Sequence, residues 1–338
     1  MIKVSKGEII LESRPDKKFE NEGVLNPACI DVGGVTHMFY RAVSKGNFST
    51  IGYCQIKNGK VIFRAEEPIL VPEYQYEKHG VEDPRVTFLD GKYYMMYTAY
   101  DGRSAVVAYA VSNDLKNWVK KGLISPQMSY DEAEDIFRDS GVNEGYKFFE
   151  EMFRYTRSDK VKLWEKDTML LPKKINDKYV LIHRVMPGIQ ICYFDDFEQL
   201  LTQQFWKNYL KTLAKWVIME PKFDYEKAYI GGGCIPLETD EGWLMIFHGV
   251  KIENEIKTYS ASAALLDKNN PQKVIGRLSY PLFYPEEKWE IEGAVNNVVF
   301  PTGLSRNGDE LSIFYGAADD VVGVRKVVLS ELLKELLK

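Results

Sequence analysis

The stretch HGVEDPRVTFLDGKYYMMYTAYDG, residues 79–102, opens with charge around a proline and closes as two aromatic and β-branched runs that meet at Asp90–Gly91. An Asp-Gly pair between such runs signals a hairpin, because both turn positions need a positive φ that these residues tolerate. Followed along the chain, the pattern recurs: a Gly, Asp or Asn turn, a short aromatic-rich strand, then a polar residue. It is found in GGVTHMFYRA ending near Arg41, DGKYYMMYTA near Thr98, NDKYVLIHR at Arg184, DEGWLMIFHG at His248 and NGDELSIFYGAAD at Asp319. The turns lie near positions 34, 91, 177, 242 and 308, so successive spacings are 57, 86, 65 and 66 residues. Each interval holds one small four-stranded antiparallel sheet with its loops, which predicts an all-β fold, a five-bladed β-propeller. Polar residues ending equivalent strands then converge on a central channel, and function is expected there.

The longest interval contains SYDEAEDIFRDSGVNEGYKFFEEMFRY, whose acidic, aromatic and apolar spacing over 131–155 is helical. A helical insertion between blades is therefore expected at about 128–165, either as packing or as a lid or contact surface at the channel mouth. At the C-terminus, LSELLKELLK places Leu329, Leu332, Leu333, Leu336 and Leu337 at three- and four-residue steps, which predicts an amphipathic closing helix. No low-complexity linker divides the chain, so residues 1–338 read as a single domain. The insertion and the terminal helix are candidate contact surfaces for a homo-oligomer.

Composition narrows the function classes. With 45% apolar residues, 28% charged residues and a net charge of -5, the chain reads as globular and is a poor match for nucleic acid. The N-terminal MIKVSKGEII lacks the apolar run of a signal peptide, and no segment reaches the roughly 20 apolar residues of a membrane span. A cytoplasmic protein with no membrane partner is expected. Cys29, Cys54, Cys192 and Cys234 are scattered in strand-like stretches with no CxxC pair, which predicts reduced, mostly buried thiols. His37, His79, His183 and His248 are equally dispersed, so no metal site is expected.

Within the opening stretch, Pro84 fixes its own φ and biases Asp83 towards an extended conformation, holding a carboxylate just before a strand. Read locally, Glu82, Asp83 and Arg85 could equally be a loop tied by salt bridges. The other repeat ends add three anion-binding groups, Arg41, Arg184 and His248, and a further acid, Asp319; as a ring they point to function. GGGC at 231–234 lacks the lysine and helix of a phosphate loop and reads as close backbone approach in a sheet. No serine occupies a G-x-S-x-G elbow.

Taken in order, LNPACI, GVEDPR, LLPKKINDKYVLIHR, YIGGGCIPLETDEGWLMIFHGV, SASAALLD, EGAVNNVVFPTG and FYGAADDVVGV resemble glycoside hydrolase family 130, the mannoside phosphorylases and related β-mannosidases. The resemblance runs through most of the chain, and the family's five-bladed propeller agrees with the repeat count. It implies an inverting reaction at the anomeric carbon of a terminal β-mannosyl unit, with inorganic phosphate as co-substrate and no cofactor. Asp83 would be the general acid, acting through the mannose 3-hydroxyl. Asn26 and Asp319 would line the sugar site, with Glu82 and Arg85 beside them. Arg41, Arg184 and His248 would lie on the phosphate side, and Lys173, with Lys174, would keep positive charge where an arginine serves phosphate. Two positions depart from the phosphorylase pattern: SKGNFSTIG follows Arg41, and Tyr229 stands where a lysine precedes I-G-x-G. In a hydrolytic relative a second carboxylate would serve as base, with Glu220, Glu290 and Glu292 as candidates. A non-catalytic sugar-binding propeller is the third alternative.

Overall fold

The structure, a computed structural model, describes residues 2–157 and 161–338. Strand pairing divides the chain into antiparallel meanders. The first is Gly23–Val32, Val35–Ser44, Phe48–Lys57 and Lys60–Arg64; the second is Gly80–Leu89, Lys92–Tyr100, Ala105–Ser112 and Val119–Leu123. One parallel bridge, Ser49 to Gly80, joins these two into an eight-stranded sheet. The third comprises Lys166–Leu170, Tyr179–Arg184, Ile189–Phe194 and Val217–Met219. The fourth is Tyr229–Gly232, Trp243–Glu253, Ile256–Leu266 and Val274–Arg277, with Leu237–Glu238 also paired to its second strand. The last, Val299–Asn307, Glu310–Ala317 and Val321–Val328, is completed by the N-terminal strand Glu8–Leu11. The architecture is all-β with few helices and propeller-like, as the hairpin repeat predicts.

The expected hairpin turns form as read. Val32 pairs with Val35 across Gly33 and Gly34 (φ 59° and 75°), Leu89 with Lys92 across Asp90 and Gly91 (49° and 76°), and Ile175 with Lys178 across Asn176 and Asp177 (50° and 62°). Two successive positive φ values match the right-handed strand twist, so register is set at the turn.

A second repeat lies outside the hairpins. An aromatic–glutamate dipeptide precedes each innermost strand: Phe19–Glu20, Tyr76–Glu77, Trp164–Glu165, Tyr225–Glu226 and Trp289–Glu290. All five glutamates are at most 1% exposed. Each carboxylate is met by a basic side chain from its own sheet: Arg64 for Glu20, Lys120 for Glu77, Arg277 for Glu226, Arg325 for Glu290 and the His183 ring for Glu165. Second-strand tyrosines add a hydroxyl, with Tyr40 donating to Glu20 at 2.7 Å, Tyr97 to Glu77 at 2.6 Å and Tyr315 to Glu290 at 2.5 Å. Burying a carboxylate is tolerable only with such partners. Because side chains alternate along a strand, anchoring one second-strand residue on its glutamate turns the next to the other face. Those next residues are Arg41, Thr98, Arg184 and Gly316.

The C-terminal helix Leu329–Leu336 buries Leu329, Leu332, Leu333 and Leu336 and leaves Leu337 exposed. The insertion expected at 128–165 contains helices Tyr130–Asp139 and Glu144–Arg157, while residues 158–160 lie outside the described residues. Ser129 caps the first helix, accepting from the Glu132 amide, and Glu132 accepts from the Ser129 amide in return. Phe137 and Tyr146 pack with Leu181, Phe194 and Trp206 of the third meander, so the insertion has its own core contacts. Helices Phe197–Leu200 and Gln203–Leu210, between the last two strands of that meander, have no counterpart in the sequence reading. The four thiols are free and three are fully buried, Cys29 being partly exposed. Among the described residues, no helix is long and apolar enough to cross a membrane.

Candidate active site

Three innermost strands carry a bulge at the same place, after Leu25, Glu82 and Lys166. The bulged residues Asn26, Asp83 and Asp167 all have left-handed backbones, with φ of 48°, 51° and 59°. Asn and Asp tolerate this region better than other non-glycine residues, and a bulge re-aims the side chain it carries. Asp83 therefore differs from the extended conformation expected before Pro84. The bulge sets its φ, and Arg85 fastens it from behind, donating from Nη1 to the carbonyls of Asp83 (3.2 Å) and Pro84 (3.0 Å) and from Nε to that of Gly233 (2.7 Å). Arg85 is 1% exposed, so it supports the acid rather than lining a cavity.

Asp83 is 8% exposed and its Oδ1 accepts from Asn26 Nδ2 at 2.7 Å. Burial pushes its carboxyl pKa up, but Lys166, Arg41, the Asn26 hydrogen bond and Arg85 together outweigh burial and hold it below the usual range. Room for Asn26 is provided by Gly316, where a Cβ would lie 2.1 Å from Asn26 Oδ1. Arg41 sits on this side as well: its guanidinium meets Glu82 at 3.0 Å and Asp83 at 3.9 Å and donates to Ser49 Oγ at 2.8 Å. Asp319 lies in the turn after its strand, three residues beyond Gly316, with φ 53°. Burial, opposed by Arg41, raises its carboxyl above the usual range. Arg41, Glu82, Lys166, Trp164 and Asp319 line a cavity of about 440 Å³.

A larger cavity, about 1080 Å³, adjoins it and shares Trp164 and Lys166. Its walls include Arg184, Tyr229, Lys257 and Tyr259 on one side and Phe148, Phe149 and Met152 of the inserted helix on the other. The insertion thus packs as a body and also walls the cleft. Arg184 Nη1 pairs with Asp167 at 2.8 Å, while its Nε has no hydrogen-bond partner among the described residues. Asp167 is raised by burial, against Arg184 and Arg85. His248 is fully buried behind Arg184, with Nε2 3.4 Å from Arg184 Nη1 and its ring against Phe300. Burial and the charges of Arg184, Arg85 and Lys257 press its pKa well down, so it stays neutral. Glycine at 231 is required here: a Cβ would stand 2.4 Å from the His248 ring and 2.5 Å from Asp167 Oδ2, so GGGC does mark close backbone approach.

The structure brings Arg41, Glu82, Asp319 and, across the shared wall, Arg184 to one cleft, with the nearly buried Asn26 and Asp83 beside Arg41 and with Arg85 and His248 behind. Lys173 is elsewhere. It pairs with Glu238 at 2.8 Å beside the hairpin turn, at the far end of the strands from Arg184, and Lys174 pairs with Asp90. A lysine that does reach the cleft is Lys166, 3.4 Å from Glu82. Lys166 and Asp167 escaped the sequence reading because no proline follows Asp167 as one follows Asn26 and Asp83. Nor does the dipeptide mark it, since Asp167 follows Glu165 by two residues whereas Asn26 follows Glu20 and Asp83 follows Glu77 by six. Of the candidate bases, Glu290 is buried under Arg325 and Tyr315 and Glu292 is an exposed partner of Lys288. Glu220 alone lines the cleft, accepting from Asn143 Nδ2 at 2.7 Å. Among the described residues no group of three or more His, Cys, Asp or Glu is placed to hold a metal ion.

A family model for glycoside hydrolase family 130, described as beta-1,4-mannooligosaccharide phosphorylase, matches residues 12–338. A beta-1,2-mannobiose phosphorylase of Thermoanaerobacter sp. (strain X514) is 36% identical over 333 residues, covering 93% of each chain. A 1,2-beta-oligomannan phosphorylase of the same strain is 31% identical over 333 residues, covering 96% of each. Among solved structures, the beta-1,2-mannobiose phosphorylase from Listeria innocua, in complex with beta-1,2-mannobiose, gives a TM-score of 0.70 at 22% identity over 98% of this chain and 93% of that one. A family member described with hydrolases that target beta-1,2 mannosidic linkages in Candida mannan gives 0.73 at 22% identity, over 94% and 91%. At those identities the structures bear on the fold alone, whereas the family model and the curated relatives extend along nearly the whole sequence: the chain belongs to glycoside hydrolase family 130.

Proposed function

We propose that the protein is an inverting glycoside phosphorylase that cleaves a terminal β-1,2-linked mannoside with inorganic phosphate, releasing α-mannose 1-phosphate. The observation that carries this reading is a pair of adjoining cavities that share Lys166: the smaller is walled by Arg41 and Glu82 beside Asp83, and the larger by the cations Arg184 and Lys257. The supporting scaffold is taken as a single five-bladed propeller, one blade per meander, each stapled by its own buried glutamate. The two full-length curated relatives carry the preference for the 1,2 linkage.

In this mechanism a phosphate oxygen attacks the anomeric carbon as the glycosidic C–O bond breaks, and the leaving oxygen takes a proton that originates on Asp83, relayed by the sugar 3-hydroxyl. The acid must be protonated to act, yet Lys166 and Arg41 hold it ionised in the free site. A phosphate dianion beside Lys166 offsets that bias, and substrate deepens the burial that raises Asp83. Phosphate then serves both as nucleophile and as the charge that readies the acid. Neutral His248 holds Arg184 without competing for the anion.

A panel of 1,2-, 1,3- and 1,4-linked β-mannobioses, incubated with and without phosphate and with products separated, is the test. Mannose 1-phosphate formed from the 1,2-linked sugar only when phosphate is present is the expected result. Free mannose at equal rates in both arms overturns the reading in favour of a hydrolase with Glu220 as base. Asp83→Asn should lower turnover by about 10²–10⁴-fold while the protein stays folded; a fold-intact variant with unchanged turnover removes Asp83 as the acid.

A further inference from the structure

We propose that Lys257, together with the hydroxyl pair Tyr229–Tyr259, is a phosphate-binding element of the cleft, a role that rests on the phosphorylase reading above. Four cations line the larger cavity: Lys166, Arg184, Lys227 and Lys257. Three already face a carboxylate, Lys166 at Glu82 (3.4 Å), Arg184 at Asp167 (2.8 Å) and Lys227 at Asp224 (2.5 Å). Among the described residues, Lys257 makes no ion pair. A cation turned into a cleft with no internal counter-charge is where an added anion gains most.

Its position follows from the fourth meander. Tyr229 faces Val250 across the sheet, and Val250 faces Tyr259. Residues 257 and 259, two apart on one strand, project from the same face. The Lys257 ammonium lies 5.0 Å from the Tyr229 ring centre and 4.9 Å from that of Tyr259, held by both π faces. The Arg184 guanidinium lies 5.5 Å from the same Tyr229 ring, so one tyrosine links the two cations. The tyrosine oxygens are 2.7 Å apart, so one hydroxyl donates to the other and the second hydrogen is left to donate elsewhere. The Arg184 guanidinium, the Lys257 ammonium and that hydroxyl supply donors of the kind a tetrahedral dianion accepts from. Tyr229, in place of the expected lysine, thus leaves the positive charge to come from the neighbouring strand.

The test measures inorganic phosphate binding directly, by calorimetry on the full chain without sugar, for wild type, Lys257→Met, Lys257→Arg and Lys251→Met. Lys251 lies on the adjacent strand, outside the cavity, and controls for general loss of charge. Lys257→Met should weaken phosphate binding at least tenfold and raise the phosphate KM in parallel with the mannoside KM unchanged. Lys257→Arg should recover most of the affinity, and Lys251→Met should change it less than twofold. Equal affinity in Lys257→Met, an equal loss in Lys251→Met, or no phosphate binding by wild type overturns the assignment. Phosphate-dependent turnover with an unaffected Lys257→Met sinks only the role of Lys257, whereas phosphate-independent turnover of wild type sinks the phosphorylase reading itself.

Discussion

At the scale of single residues, the site works by setting charges against burial. Asp83 and Asp167 occupy the same bulge in neighbouring meanders and are both nearly buried, yet their carboxyls move in opposite directions. Asp83 has Lys166, Arg41 and Asn26 against its burial and falls; for Asp167 burial prevails over Arg184 and Arg85 and it rises. Lys166 is the largest of the influences that lower Asp83, which gives a signed prediction. A general acid loses activity as pH rises through its own pKa, so raising that pKa carries the alkaline limb of the profile upward. Lys166→Met removes the lowering charge and leaves burial less opposed. The alkaline limb of kcat/KM for the mannoside should therefore move to higher pH, alongside a weaker phosphate KM. A limb that stays in place, or moves down, means that Lys166 does not govern the acid.

At the scale of elements, the buried glutamates decide where the cleft residues point. Glu77 accepts from Tyr97, from Lys120 at 2.5 Å and from the backbone amides of Glu73 and Tyr74. Losing one member of such a buried pair typically costs about 3–5 kcal/mol. Glu77→Gln should lower stability by that order in urea unfolding while the KM values stay near wild type, because the residue after its partner Tyr97 is the uncharged Thr98 rather than a cation of the site. Glu165→Gln should do more than destabilise. Glu165 and its partner His183 immediately precede Lys166 and Arg184, so turnover and phosphate KM should both suffer in the folded variant. If Glu165→Gln loses stability but keeps wild-type kinetics, the staple does not orient the site. The hairpins were legible in the sequence because a turn is local chemistry: Asn, Asp or Gly at two adjacent positions suffices. The staples were not, since each fixes only two residues and stands between one and nine positions ahead of its strand. The same limit hid Lys166 and Asp167 and drew attention instead to Lys173, whose charge belongs to the turn. Convergence of Arg41, Arg184 and His248 on one region was readable because their hairpins are; the depth at which each sits, with His248 behind Arg184, depends on packing between sheets.

At the scale of the whole molecule, the meanders are tied to one another by side-chain contacts around the site. Asn26 reaches Asp83; Thr87 Oγ1 donates to the Leu170 carbonyl at 2.7 Å; Arg85 reaches Gly233; Cys234 Sγ lies 3.3 Å from the Gly303 carbonyl; and Asn26 packs against Gly316. These contacts join the first meander to the second and the last, the second to the third and fourth, and the fourth to the last, so an error in one meander reaches the acid. The last meander is completed by the N-terminal strand. Glu8, Ile9 and Leu11 pair with Val324, Gly323 and Val322, and Val4 bridges to Val327, which covers the edge of the last meander with residues from the opposite end of the chain. Without them that edge would present unpaired amides and carbonyls beside Arg325, the cation that holds Glu290. Deleting residues 2–11 removes no residue of the cleft. It should nevertheless lower the thermal midpoint, increase association through the open edge and reduce turnover, because the fifth meander positions Gly316 against Asn26 and Asp319 beside Arg41. Scanning calorimetry, light scattering and initial rates on the truncated chain make the comparison. A truncated protein that melts where wild type does and turns over at the same rate shows that the last meander holds its place without the strand, and the dependence of the acid on that strand then fails with it.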